Sequence, residues 1–372
     1  MKALNQPAAI LLAVNLSVFG VQGCANSHAA EPAPSPPELS LRKKLDAAVP
    51  ALLVSQKVPS VSIAYVRDGK IDFVAAYGDQ APGVPATEDT LYNVASLTKP
   101  LAAEVYLRFA THAGLSIDAP MSEAWVDPDL AGDARALLLT PRLALSHRTG
   151  FANWRSQTGG VLSFEANPGE RFGYSGEGLE YLRTYLEKVS GKRLDVLAAS
   201  FIFEPLGMRD TFFGWPEAER DRVATPSAEG EWLEVDSNTE VLAADNVHTT
   251  ARDYARFVIS VIDGVGVSPE LREEQFRVQT DRKADLCSRI ETQYCPLQLG
   301  FGLGWETYVF SNTTMLMHTG NDLGESAVAI VDLERRDAFV MLTNSKNGIS
   351  VAAGLLDHLD LEPGLVEYLK RI

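Results

Sequence analysis

The sequence has few cysteines, no excess of basic side chains and, after Val21, no long apolar run. Its 33 Lys and Arg against 49 Asp and Glu give a formal net charge of −16 at neutral pH. This charge argues against nucleic acid or an anionic membrane surface as a partner, because both require a basic face. The six histidines are scattered, and no Cys/His spacing suits zinc. No segment beyond the N-terminus is apolar enough to span a bilayer.

The N-terminus, over residues 1–23, is predicted to be a processing signal and not part of the fold. Lys2 supplies a short positive region, Ala8–Val21 is mostly apolar, and small residues lead to Cys24. A cysteine directly after such a cleavage site resembles a bacterial lipoprotein signal, which implies lipid attachment at Cys24. Gln22 is a less usual residue in that pattern, so simple secretion is the alternative.

Two further segments fit an exported protein. Residues 24–38 are rich in Pro, Ala and Ser and cannot bury a core, which indicates a tether. Cys287 and Cys295 lie eight residues apart in a polar stretch and could close a small disulfide loop, with two free thiols as the alternative. We therefore expect a periplasmic or outer-membrane-anchored lipoprotein that contacts the membrane only through its lipid.

Strand and helix patterns place strands at both ends of the chain. Ser60–Arg67 and Ile71–Tyr77 read as strands, and Asp68-Gly69 between them is a strong hairpin signal. Strand patterns return over residues 305–342, whereas helical patterns follow Pro100 and fill the middle.

These patterns predict an α+β fold, with one antiparallel sheet built from both chain ends and flanked by helices. The sheet domain would comprise residues 39–106 and 240–372, and residues 107–239 would form an inserted, mainly helical domain. We find no internal repeat, and the sequence does not indicate an oligomeric state.

The stretch Leu91–Pro100 carries the first candidate chemistry. Ser96 and Lys99 are three residues apart, so on a helix the hydroxyl and the amine share one face, one turn apart. Pro100 keeps the helix from beginning much before Ser96, which places the serine at a helix N-terminus, where N–H groups favour a developing anion. A desolvated lysine there could activate the serine. The alternative is a capping serine with a surface lysine.

Two later segments supply other groups that a serine nucleophile requires. Tyr174 lies on a glycine-flanked loop, and a nearby ammonium would lower the pKa of its phenol and let it carry protons. His318-Thr-Gly-Asn321 ends a predicted strand with a small residue that lets a ligand approach the backbone. Taken alone, the tyrosine could be a packed loop aromatic, and the strand end an ordinary one.

Taken in order, Ser96 with Lys99, then Tyr174, then His318–Asn321 resemble the serine β-lactamase and penicillin-binding-protein superfamily. They are most similar to its class C-like branch, which includes class C β-lactamases, DD-peptidases, D-aminopeptidases and related esterases. Lesser motifs extend the resemblance over some three hundred residues, to about Asn347. The resemblance implies a β-lactamase/transpeptidase-like fold and acyl transfer that needs no metal and no cofactor.

Carried over to this chain, the resemblance implies that Ser96 attacks a carbonyl and becomes acylated. Lys99 and Tyr174 would share the general-base and general-acid work, and which of them takes the first proton is open. The N–H groups of Ser96 and Asn321 would form the oxyanion hole, and water would then release the acid. The substrate-binding residues implied in this way are His318, Thr319, Gly320 and Asn321.

Two positions depart from the family's pattern. The family's Tyr-x-Asn is Tyr174-Ser-Gly176 here, so the amide that orients substrate and lysine is absent. Unpaired partners would cost about 1–3 kcal/mol unless another group substitutes, which argues against efficient β-lactam hydrolysis. The Lys-Thr-Gly triplet begins with His318, and a neutral imidazole holds a substrate carboxylate more weakly than an ammonium.

Two competing patterns are weaker. Gly173-Tyr-Ser-Gly-Glu177 nearly forms the Gly-x-Ser-x-Gly elbow of α/β-hydrolases, but Glu177 replaces the last glycine and no strand precedes it. His147 has no acidic partner or nucleophile arranged near it in sequence, so we interpret it as structural.

We therefore predict a serine hydrolase that forms an acyl-enzyme on Ser96 and cleaves amide bonds, such as those of D-amino-acid peptides, or ester bonds in the cell envelope. Its partner would be a small-molecule or peptide substrate, in a cleft shaped by loops Phe151–Trp154 and Trp215–Pro226. The alternatives are a β-lactamase proper and a non-catalytic lipoprotein that binds penicillin or cell-wall peptide.

Overall fold

Strands from both ends of the chain meet in one large sheet. The structure, a computed structural model, describes residues 40–372, so the predicted signal peptide, Cys24 and the tether lie outside the described residues. The strands are β1 (Ser60–Arg67), β2 (Lys70–Ala81), β3 (Val84–Pro85), β4 (Tyr92–Asn93), β5 (Thr211–Phe213), β6 (Ser227–Ala228), β7 (Glu231–Trp232), β8 (Val247–Thr249), β9 (Thr280–Asp281), β10 (Gln298–Phe301), β11 (Glu306–Val309), β12 (Thr314–Asn321), β13 (Ser326–Asp332) and β14 (Asp337–Thr343). The helices are α1 (Leu41–Gln56), α2 (Thr98–Ala113), α3 (Pro141–Leu145), α4 (Gly176–Ser190), α5 (Leu194–Ala198), α6 (Glu204–Leu206), α7 (Ala251–Asp263), α8 (Pro269–Phe276), α9 (Lys283–Leu286), α10 (Gly348–Leu355) and α11 (Pro363–Leu369).

The large sheet has nine strands in the order β3-β2-β1-β14-β13-β12-β11-β10-β9. Its neighbours pair antiparallel, and β1 from the N-terminal part lies beside β14 from the C-terminal part, with Val61 opposite Thr343. The turn between β1 and β2 has positive φ at both Asp68 and Gly69, 49° and 70°, as a tight two-residue hairpin turn requires. The predicted α+β fold is confirmed.

Apolar side chains alternate along the sheet and build a core on each face. Val61 and Ile63 join a cluster that includes Leu45 and Val49 of α1 and reaches α10. Ala64 belongs instead to the larger cluster that contains the buried faces of α2 and α7. Since both faces are covered, β13 and β14 are buried along their whole length.

The middle of the chain is mainly helical, as predicted, with three short strands that the sequence does not reveal. One of them, β5, pairs with β8, which also pairs with β4 just before the segment that holds Ser96. Strands of two or three residues carry no period-two pattern, so alternation could not find them. Residues Ser40–Ile372 form one compact unit, and the bounds of the inserted domain stay a prediction.

Several local features agree with the sequence. Gly114 ends α2 with a φ of 67°, and the Thr250 hydroxyl caps α7 by accepting the N–H of Asp253 at 3.2 Å. Cys287 and Cys295 are joined by a disulfide bond, with Cα atoms 6.2 Å apart. Within residues 40–372, no helix has the length and apolarity needed to cross a membrane.

Candidate active site

Ser96 lies in a short 3₁₀ turn, Ala95–Leu97, that leads directly into α2 at Thr98. The serine therefore stands just ahead of the first α-helical turn, and Lys99 lies within that turn. The predicted one-turn spacing holds, because the 3₁₀ turn and the helix are continuous. Lys99 and the following apolar residues of α2 are buried, so this helix start is not a surface feature.

The turn that carries Ser96 is held by contacts on both sides. Ala95 has a φ of 47°, a left-handed conformation that costs a residue with a Cβ about 1–2 kcal/mol. Its N–H donates to Asn93 Oδ1 at 2.9 Å, and the Tyr254 hydroxyl donates to the Leu97 carbonyl at 2.8 Å. These bonds offset the strained backbone and fix the direction in which the serine leaves the turn.

Lys99 is hydrogen-bonded to Ser96, with 2.9 Å between Nζ and Oγ. Only 1% of the lysine is exposed, and its ammonium also donates to the Ala244 carbonyl at 2.7 Å. Glu180 holds this carbonyl in place, because its Oε1 accepts the N–H groups of Ala243 and Ala244 at 2.8 and 3.0 Å. The role of Ala244 could not be predicted from sequence, because any residue type supplies a backbone carbonyl.

Burial changes the acidity of Lys99. Loss of solvation lowers the pKa of its ammonium to about 8, and the negative charges of Asp245, Glu180 and Asp322 oppose that shift without cancelling it. At pH 7 a group with this pKa is neutral in about one molecule in ten. Lys99 can therefore accept a proton from Ser96, which an ordinary solvated lysine rarely could.

Tyr174 lies next to this pair, with its ring centre 5.0 Å from Lys99 Nζ. Burial is the main influence on the phenol and raises its pKa to about 12, while a hydrogen bond with Ser96 acts in the opposite direction. The prediction that a nearby ammonium would lower the pKa of Tyr174 is therefore wrong. The loop buries the ring, and the loss of solvation outweighs the hydrogen bond with Ser96.

Aromatic and imidazole rings surround Tyr174. The ring centres of His147, Phe301 and His318 lie 4.4, 6.1 and 6.3 Å from that of Tyr174. His147 Nδ1 accepts the N–H of Ser175 at 3.1 Å, and burial lowers the pKa of this histidine well below its usual value. A neutral, structural His147 agrees with its interpretation from sequence. We call this set the aromatic cluster: His147, Phe172, Tyr174, Phe301 and His318.

His318 is a neutral, buried member of the aromatic cluster. Its Nδ1 lies 2.9 Å from the Thr319 carbonyl, which can only accept, so the proton belongs on Nδ1 and Nε2 is left as an acceptor. Nε2 has no hydrogen-bond partner among the described residues. Burial, and then the charge of Lys99, lower the pKa of His318 to about 3. His318 and Thr319 line a cavity of about 210 Å³ beside Tyr174.

Strand β12 passes directly against the turn that holds Ser96. A Cβ added at Gly320 would lie 2.0 Å from the Val94 carbonyl oxygen and 3.1 Å from the Leu97 nitrogen, so only glycine fits there. This close approach brings the predicted substrate strand to the nucleophile. Thr319 and Asn321 on either side of the glycine are exposed, and Asn321 Oδ1 accepts a hydrogen bond from the Ser326 hydroxyl at 3.2 Å.

The comparisons with known proteins agree with this arrangement. Residues 45–361 match the family model described as Beta-lactamase. The match covers more than half of the chain, so the chain belongs to the β-lactamase family, and the resemblance seen in its motifs is confirmed.

Several relatives are similar to this chain. It is 30% identical over 226 residues to esterase EstB of Burkholderia gladioli, covering 52% of this chain and 56% of that protein. It is 23% identical over 306 residues to the D-alanyl-D-alanine-carboxypeptidase/endopeptidase AmpH of Escherichia coli (strain K12), covering 75% of this chain and 78% of that protein. The octameric penicillin-binding protein homologue from Pyrococcus abyssi aligns with a TM-score of 0.71 at 23% identity, covering 85% of this chain and 77% of that chain. The chain is a serine hydrolase of the β-lactamase family.

Proposed function

We propose that this hydrolase forms an acyl-enzyme on Ser96 and cleaves ester or amide bonds, including those of D-amino-acid peptides, in the cell envelope. The observation that carries the proposal is the 2.9 Å hydrogen bond between Ser96 Oγ and the buried amine of Lys99. A serine hydroxyl is a weak nucleophile until an adjacent base takes its proton. A buried lysine with a lowered pKa is such a base.

The acidities of the two neighbouring groups support one order of proton transfers. Lys99, with a pKa near 8, takes the Ser96 proton as Oγ bonds to the substrate carbonyl carbon. Tyr174, with a pKa near 12, stays protonated at neutral pH and donates its proton to the leaving oxygen or nitrogen. The Lys99 ammonium then returns a proton to the tyrosine, and water, activated by the same groups, releases the acid and restores Ser96.

The oxyanion that forms during each step needs two donors. We assign the backbone N–H groups of Ser96 and Asn321, because the contact of Gly320 with Val94 brings β12 against the nucleophile turn. Such donors stabilise the charge that develops on the carbonyl oxygen. Thr319 and Gly320 would line the substrate along the strand, as in the family.

The charges around the site favour a substrate without a carboxylate beside the reacting carbonyl. Three acidic side chains act electrostatically on Lys99, and His318 is neutral where the family's lysine would supply an ammonium. Arg282 lines the cavity beside Tyr174, but its guanidinium lies over the Phe172 ring at 4.3 Å, and its charge also acts on the buried carboxyl of Glu306. We therefore place uncharged esters and amides ahead of β-lactams.

The proposed envelope location depends on the N-terminal sequence. The apolar stretch that leads to Cys24 supports export and lipid attachment. Incorporation of labelled palmitate, and release of a Cys24→Ala variant from membranes, would be expected of a lipoprotein. A wild-type protein recovered only in the soluble periplasm would instead favour simple secretion.

The test of the reaction combines covalent labelling with turnover. Wild type and Ser96→Ala are exposed to a fluorophosphonate, a penicillin, a neutral aryl ester and a D-alanyl-D-alanine peptide, and the intact mass and product are measured. We expect one fluorophosphonate adduct on wild type, none on Ser96→Ala, and faster turnover of the neutral ester than of the penicillin.

Each other outcome has a distinct meaning. Labelling that persists in Ser96→Ala contradicts the nucleophile. An acyl adduct that forms on wild type and is never released indicates a non-catalytic binding protein. Penicillin turnover faster than that of the ester and the peptide would make the protein a β-lactamase proper.

A further inference from the structure

Trp154 occupies the space into which a side chain at position 176 would extend. A Cβ added to Gly176 would lie 2.6, 2.7 and 2.8 Å from Cη2, Cζ3 and Cζ2 of the Trp154 ring. Real Cβ atoms do not approach ring carbons so closely, so a larger residue at 176 requires the indole to move. The position of the Trp154 ring therefore depends on a glycine at 176.

The same indole lies against the amine of Lys99. Nζ is 5.8 Å from the centre of the Trp154 ring and 5.0 Å from that of Tyr174. The lysine has two aromatic rings within 6 Å, and its hydrogen bonds are to Ser96 and Ala244. Trp154 is thus one of the groups near the buried Lys99 amine, and we expect a smaller side chain at 154 to let water closer to it.

The loop that carries Trp154 is fastened to the start of α4, so the position of the ring is not accidental. The Ser175 hydroxyl donates to the Ala152 carbonyl at 2.7 Å, and the Gly176 N–H donates to Asn153 Oδ1 at 2.8 Å. The Glu177 N–H also donates to the Asn153 carbonyl at 3.0 Å. Residues 175–177, which follow Tyr174, therefore hold Ala152 and Asn153, the two residues that precede Trp154.

We propose that Trp154 is a positioning residue of the acyl-transfer site: its indole takes the place of a side chain at 176 and keeps water away from Lys99. The proposal rests on the proposed function of Ser96 and Lys99. It also accounts for the departure at Gly176: the Ala244 carbonyl accepts a hydrogen bond from Lys99, as a side-chain amide at 176 would, and the indole fills the space of that side chain.

The two physical effects of the ring have opposite signs. Cation–π attraction favours the ammonium but is weak at 5.8 Å, whereas exclusion of water disfavours it. Burial by all its surroundings is the largest cause of the lowered pKa of Lys99, and Trp154 is one of these surroundings, so we expect exclusion of water to prevail. Removing the indole should raise the pKa of Lys99 toward that of a solvated lysine.

The experiment measures the rate at which a fluorophosphonate phosphonylates Ser96, with release of fluoride, from pH 6 to 10 in the full-length protein. Wild type, Trp154→Ala, the conservative Trp154→Phe and the distant control Trp232→Ala are compared. We expect Trp154→Ala to move the midpoint up by about one pH unit, which slows phosphonylation about tenfold at pH 7 and leaves the rate at pH 10 nearly unchanged. Trp154→Phe and Trp232→Ala should keep the wild-type midpoint.

Two further measurements test the role of Trp154 even if the Trp154→Ala variant does not fold. Gly176→Ala adds a methyl group that pushes the indole aside, and the same upward shift is expected of it even if Trp154→Ala does not fold. An NMR titration of Lys99 in ¹³C-lysine-labelled protein reports the pKa of its amine without any reaction at Ser96. Ser96 labelling with an unchanged midpoint in both variants would overturn the role of Trp154 and leave the proposed function intact. Failure of wild type to label would instead overturn the proposed function, and the NMR titration would still decide the role of Trp154.

Discussion

Lys99 and Tyr174 flank the same serine, yet their surroundings differ in kind. Lys99 combines burial with the charges of Asp245, Glu180 and Asp322. Tyr174 lies in the aromatic cluster, where burial is the main influence on its phenol. The same physical effect, loss of solvation, thus moves the two pKa values in opposite directions, because it always disfavours the charged form.

This difference separates the roles of the two groups. A base must lose its proton near neutral pH, and a general acid must keep one until the leaving group departs. Burial makes Lys99 easier to deprotonate and Tyr174 harder. The acidic side chains keep the pKa of Lys99 from falling further, so the amine is still charged often enough to return a proton in the second half of the reaction.

The largest effect should come from removing the base. Lys99→Met keeps the length of the side chain and deletes its amine, and we expect kcat/KM for a neutral aryl ester to fall about 10³-fold. In wild type the rate should rise with pH through a midpoint near 8, because only the neutral amine accepts the Ser96 proton. Steady-state kinetics from pH 6 to 10 measure both effects. A Lys99→Met enzyme with more than a tenth of wild-type activity would contradict the assignment.

The Tyr174→Phe variant tests the role of Tyr174 as the general acid. It keeps the ring and its stacking and removes only the hydroxyl. We expect about a 10²-fold loss for an alkyl ester or a peptide amide, whose leaving group needs a proton. The loss for a p-nitrophenyl ester should be below about tenfold, because nitrophenolate leaves without one. Equal losses for both kinds of substrate would mean that Tyr174 is not the general acid.

The smallest effect should come from weakening the acidic surroundings of Lys99. Asp245 raises the pKa of Lys99, so Asp245→Asn should lower it and shift the midpoint of the rate below pH 8. A shift of about half a unit would increase the rate at pH 7 by about twofold to threefold. The matched control is Asp46→Asn on α1, which packs on the other face of the sheet. An unchanged or higher midpoint in Asp245→Asn would contradict the stabilisation of the Lys99 ammonium by Asp245.

Much of the fold and the centre of the site could be predicted because their signals are local. The Asp68-Gly69 hairpin, the helix that ends at Gly114 and the capping threonine of α7 each depend on residues within one turn of each other. The pairing of Ser96 with Lys99 is local in the same sense, because three residues span one helical turn.

What the sequence missed depends on contacts between distant segments. Lys99 bonds to a carbonyl 145 residues away, and Glu180 does not stand out by residue type. The loop Phe151–Trp154 was predicted to shape the cleft, but the contact of Trp154 with position 176 could not be. The direction of the Tyr174 pKa was wrong for the same reason: proximity to a cation can be guessed from a motif, but the depth of burial cannot.

The sequence by itself determined the fold class, the family and the placement of Ser96 one helical turn from Lys99, since spacing and order along the chain are enough for these. Only the tertiary structure decided the protonation states of Lys99, Tyr174 and His318, and the replacement of a side chain at 176 by the indole of Trp154. Solvation and ring packing are sums over all the segments that fold around a group, and no single stretch of sequence contains them.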